Sequence, residues 1–247
     1  MAIQATVQLA NVKYTAEKPP TSGNFLETIK TWFDGSAGAF DFMNALKKAA
    51  DLSGNDHILK QAKGYIAGTS IPRVYTTALT ACRGYKALRE GRVDKHQGPI
   101  DFAHQVFDFF LMSTYSFAFF RKTPTTSLQA ATVLNVGCDA TDVLSFGVQS
   151  FKGWERRAML ATANPVIQKA NENAFHNALI KLAKSVTAFI ASIFSVFLLI
   201  TGTVLVAPAI AVTVALSSSI FNILAYYHKN YWCDTALKID YLPVKQA

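Results

Sequence analysis

The 247-residue sequence predicts an all-α protein: a helical, bundle-like N-terminal domain followed by a C-terminal hairpin of two transmembrane helices. Three observations carry this. Apolar residues recur at helical spacing from Phe25 onward, while strand-like alternation is scarce. Glycine, proline and Ser/Asn clusters punctuate the chain at helix-length intervals. None of the 24 basic and 16 acidic residues falls between Ser185 and Tyr227, a run of 43 positions.

Composition narrows the classes. Hydrophobic residues make up 51% of the chain and charged residues 16%, which excludes disordered, collagen-like and long coiled-coil proteins. The formal charge of +8 includes no block of five or six basic residues, and the aromatics lie in apolar runs, so no nucleic-acid partner is expected. Cys82, Cys138 and Cys233 stand far apart without CxxC or CxxH spacing and read as reduced, mostly buried thiols. The first residues lack a basic segment leading into an apolar one, so they do not form a secretory signal.

Residues 1–23 are polar and small, end in Pro19-Pro20-Thr21-Ser22-Gly23, and read as a disordered leader. Residues 24–184 form the helical domain. Its first helix carries Phe25, Leu26, Ile29, Trp32 and Phe33 before Asp34-Gly35, its second covers about 38–52, and a short third ends at Ala67-Gly68. Ser70 and Pro72 then mark a fresh start, with a solvated basic face of Arg73, Arg83, Lys86 and Arg89 running to Glu90. Gly91 and Gly98-Pro99 frame a turn. The aromatic segment 100–120 holds an uncharged stretch from Phe109 to Phe120 that reaches only about 18 Å, too short to cross a hydrocarbon layer of about 30 Å. A helix from Ser127 into the 150s follows, and residues 152–184 are basic and polar.

The uncharged run, residues 185–227, would be about 65 Å long as one helix, twice what a bilayer needs. Gly202 and Pro208 divide it into two arms of spanning length, with Pro208 suited to the first position of the second. Its 21 Leu, Ile, Phe and Val residues favour insertion by at most roughly 6–13 kcal/mol. Ala188 with Ser192, and Ala211 with Ala215 and Ser219, recur every four residues and suit close helix–helix packing. Lys181 and Lys184 before the run, and Tyr226, Tyr227, Tyr231 and Trp232 at its exit, read as interface anchors. Basic residues flank both ends, so the expected topology is multi-pass with both termini cytoplasmic and residues 228–247 as a short cytosol-facing tail. A buried hairpin in a soluble bundle fits the same run.

Candidate chemistry is sparse. Asp101, His104 and Asp108 share one helix face, a weak metal or acid–base arrangement that also fits a polar stripe facing water. Asp139 and Asp142 beside Cys138 form a second pair, for which Arg83 or Lys86 are possible partners across a bundle. Phosphate-binding, nucleophile-elbow, zinc-protease and EF-hand patterns do not occur, so no cofactor is expected and the chain reads as a non-enzyme.

The run AFIASIFSVFLLITGTVLVAPAIAVTVALSSSIFNILAYY, preceded by AATVLNVGCDATDVLSFGVQS and the charged FKGWERR, resembles chlamydial inclusion-membrane proteins of the class I accessible protein group over about residues 60–230. That resemblance implies type III secretion, insertion in a host-derived inclusion membrane, and cytosolic regions that bind host proteins; it implies no catalytic residues. The stretch LSGNDHILKQAKGYIAG to CRGYKALREGR is similar in texture to the remodelling region of peroxisomal membrane-elongation proteins. Pore-forming bacteriocin domains share the hairpin hidden in a helical bundle. The expected partners are thus a lipid bilayer and a protein.

Overall fold

The breaks in helical periodicity become the corners of an up-and-down bundle. A computed structural model describes residues 5–9, 12–17, 26, 30–32, 36–121, 125–160 and 164–242. Among them, six long helices follow in order: α1 (Ser36–Ser53), α2 (Asp56–Arg89), α3 (Gln97–Arg121), α4 (Thr125–Leu160), α5 (Pro165–Thr201) and α6 (Pro208–Tyr227). A π-helical turn, His228–Trp232, continues α6. Most of the helix expected over residues 25–33 lies outside the described residues, though Trp32 within it is buried.

Capping chemistry explains the corners. The Asn55 side chain accepts from the Ile58 amide at the start of α2, and Asn164 does the same for Val166, with Pro165 in the first turn of α5 where a missing N–H costs nothing. The continuity of α2 corrects the start expected at Ser70. Its hydroxyl donates back to Ala67 O at 2.7 Å and lies 3.0 Å from the Ser116 hydroxyl on α3, while Ile66 is fully buried. Packing against α3 thus carries the helix through Pro72, despite the backbone bond that a proline removes.

The ends of the chain also depart from expectation. Residues 5–9 and 12–17, read as part of a disordered leader, form β1 (Ala5–Leu9) and β2 (Val12–Glu17), and the tail supplies β3 (Ala236–Tyr241). The sheet is antiparallel in the order β1-β2-β3, with Val7 opposite Tyr14 and Tyr14 opposite Ile239. Its alternate residues Tyr14, Ala16, Leu237 and Ile239 pack on Leu160, Ile167 and Ala170, where α4 ends and α5 begins.

Two further clusters complete the interior. Phe40, Ile66, Leu111, Met112, Tyr115 and Ala131 join α1 to α2, α3 and α4. Gly137 permits close approach there, since a Cβ on it would come within 2.7 Å of the Phe107 ring. Ala49, Ala191 and Ala215 join α1 to α5 and α6.

Candidate functional site

The uncharged run forms a helical hairpin, and both of its helices are long and apolar enough to cross a membrane. α5 begins twenty residues before the run, so the boundary expected at residue 184 falls inside a continuous helix. Gly202 ends α5 in the left-handed conformation, at φ 70°, with its amide bonded to Leu198 O at 2.8 Å. Pro208 is the first residue of α6.

The hairpin has two unlike faces. Ala188, Ser192, Ala211, Ala215 and Ser219 are all buried, with Ala191 and Ser218 beside them. Small side chains let α5, α6 and α1 come together, as Ala49, Ala191 and Ala215 do at their crossing. Outward, α5 exposes Leu179, Val186, Ile193 and Ile200, spaced seven residues apart, and α6 exposes Ile210, Ile220 and Leu224. Within the uncharged run the stripe from Val186 to Ile200 rises about 21 Å, and Leu179 lies one heptad before it, ahead of Lys181 and Lys184.

Polar groups fasten the inner face to the bundle. Lys48 Nζ on α1 lies 2.7 Å from Asp139 Oδ2 on α4 and donates to Ala188 O at 3.4 Å. The Ser192 hydroxyl donates to the same carboxylate oxygen at 2.5 Å. Asp41 on α1 accepts from Asn222 at 2.8 Å and from Lys184 at 3.5 Å, and Asn177 donates to Ala225 O at 2.7 Å. Lys48 and Asp41 are not among the residues expected from the sequence to hold the hairpin. They stand seven residues apart on one face of the helix Ser36–Ser53, which also carries Lys47 and Asp51.

Asp101, His104 and Asp108 do not form a stripe facing water. They turn toward α4: Asp101 accepts from Ser145 at 2.5 Å, and His104 Nδ1 lies 3.1 Å from Thr141 Oγ1 and 3.2 Å from Asp142 Oδ1. Asp108 borders an internal polar cavity of about 250 Å³ together with Arg73 and Lys184. Burial pushes the carboxyls of Asp108 and Asp142 upward, with His104 opposing in both cases. Three donors suited to one metal ion do not converge anywhere among the described residues. Asp139 and Asp142 meet Lys48 and His104 rather than Arg83 or Lys86, whose side chains are exposed on α2.

The expected anchors are divided. Trp232 is exposed and stacks edge-on with Tyr227, whereas Tyr226 is half-buried; of Tyr231 only the backbone is described. Lys181 and Lys184 turn partly inward, Lys181 with its ammonium 5.3 Å from the Phe146 ring centroid and Lys184 toward Asp41. Burial pushes the Lys181 amine downward, and Lys229 adds to the effect.

A scan against protein families, a search of curated proteins and a search of solved structures each find no match to this chain.

Proposed function

We propose that the chain is a membrane-anchored interaction protein that works by binding rather than by catalysis. The hairpin is its bilayer anchor, and the helical domain and sheet are the parts offered to a protein partner on the cytoplasmic side. One observation carries the reading: an uncharged hairpin of two helices, each long and apolar enough to cross a membrane, packs small residues inward and presents apolar side chains outward. The layout shared with chlamydial inclusion-membrane proteins extends it to a type III secreted effector seated in an inclusion membrane and facing host cytosol. Alkaline carbonate extraction of membranes containing the full chain tests the anchor. Retention in the pellet is expected, and release into the supernatant would overturn it.

A second reading is favoured by the contacts of Lys48, Asp139 and Ser192, which hold the hairpin against the bundle. In that reading the hairpin stays folded on the helices until a membrane draws it out, as in pore-forming domains. Dye leakage from vesicles on addition of the full chain distinguishes it, because a permanent anchor causes none.

A further inference from the structure

A second cavity, of about 730 Å³, lies where α1 ends, α2 and α4 begin and α5 approaches its last turn. That volume is in the range of small-molecule sites. Its apolar wall is Leu59, Leu198 and Leu199, and its polar wall carries Lys47, Lys60 and Lys63 against Asp51 and Asp56. Lys47 is the unusual member. Its side chain is only 4% exposed, yet among the described residues no carboxylate lies within ion-pairing distance of it. The ammonium has three protons to donate; among the described residues it makes a long hydrogen bond, 3.4 Å to the Tyr115 hydroxyl, which also accepts from Asn135 at 3.0 Å, and lies 5.6 Å from the centroid of the same Tyr115 ring. A buried cation with so little compensation calls for an anion.

Lys63 points the same way. Burial pushes its amine downward and the Lys47 charge adds to this, while Asp51 and Asp56 oppose it. Lys47 and Lys63 thus border one half-enclosed space together with the leucines. Lys60 stands exposed at the rim, and Leu199 is partly exposed on the α5 side.

We propose that this cavity binds an anionic amphiphile, a carboxylate or phosphate head carried on an acyl chain, with Lys47, Lys60 and Lys63 holding the head and Leu59, Leu198 and Leu199 the chain. A bound head group gives Lys47 the counter-charge that the protein does not supply, and the leucines remove the upper chain from water. The site is whole only while Leu198 and Leu199 of α5 stay packed beside α1 and the start of α2, as they are in the structure.

Native mass spectrometry of the full chain in a non-ionic detergent, with oleate, phosphatidylglycerol or oleyl alcohol added at one concentration, tests the assignment. One oleate or one phosphatidylglycerol per chain is expected, with occupancy by the uncharged alcohol at least tenfold lower. Oleate alone assigns the site to a free fatty acid, phosphatidylglycerol alone to a bilayer lipid. Lys47→Gln should lower occupancy at least tenfold and Lys60→Gln, at an exposed position, severalfold; circular dichroism checks that each variant folds. The proposal is overturned if neither anion binds, if oleyl alcohol binds equally well, or if the folded variants bind like the parent chain.

Discussion

Lys48 sits where three helices meet, and the hairpin's hold on the bundle turns on it. Its ammonium answers Asp139, and Asp139 in turn accepts from Ser192, in the last third of α5. Breaking a buried pair by removing one partner costs about 3–5 kcal/mol because the other charge is left uncompensated. Lys48→Ala should therefore lower the melting temperature in mild detergent by about 10 °C. Replacing the pair together, Lys48→Met with Asp139→Leu, should recover most of that loss, since an apolar pair of similar volume avoids the desolvation cost. Asp94 plays a comparable part near the sheet. Burial alone would raise its carboxyl, but Lys152 and the amides of Gln97 and His96 outweigh it and hold the group at about 2. The Tyr241 hydroxyl of β3 also donates to it. A carboxyl depressed in the folded state stabilises fully above its unfolded value, near 4, and loses that contribution as pH falls toward 2. Asp94→Asn should cost about 1 kcal/mol at neutral pH, allowing for solvent screening. Acid titration followed by circular dichroism should find the variant and parent converging below pH of about 2.

At the scale of the element, α5 and α6 owe their close approach to residues that carry almost no side chain. Ala215 is fully buried against Ala49 and Ala191, so Ala215→Leu has no room and should cost about 1–3 kcal/mol. A thermal melt checks this, with Ile220→Leu on the exposed face as a neutral control. These positions were legible in the sequence because small residues at four-residue spacing inside an uncharged run have one evident use. Gly202 and Pro208 were legible for the same kind of reason, one tolerating positive φ and the other needing no amide. The strands were not legible. Each has only five or six residues, and although β1 lies next to β2 in sequence, Tyr14 and Ala16 find their apolar surface on α4 and α5 and their second strand neighbour, β3, more than two hundred residues away. Local pattern cannot report so distant a partner. The inward turn of Asp101, His104 and Asp108 was hidden likewise, because periodicity identifies one face of a helix without saying whether water or α4 lies beyond it.

At the scale of the whole molecule, α2 and the hairpin present unlike charge to their surroundings, while α3 and α4 also expose aromatics such as Phe120 and Trp154. α2 exposes Lys60, Arg83, Lys86 and Arg89, while α5 and α6 expose Leu179, Val186, Ile193, Ile200, Ile210, Ile220 and Leu224. The sheet lies by Ile167, near the start of α5, and the Gly202 turn lies about 52 Å further along that helix. Strands β1, β2 and β3 therefore share one end of the hairpin, the arrangement that a two-pass anchor with both flanks on one side requires. At the other end, Asp51, Asp56 and Lys60 border the same cavity as Leu198 and Leu199. Each such charge costs about 2.5–3.5 kcal/mol at a membrane centre, so insertion of the hairpin requires α1 and the start of α2 to part from it. Labelling by a membrane-impermeant maleimide in vesicles that carry the full chain reads this most directly. Two proteins are compared, one retaining only the exposed Cys82 and one with all three native cysteines replaced and Leu205→Cys in the turn. The account predicts that the two cysteines react from opposite sides of the membrane. Reaction of both from the same side would contradict it.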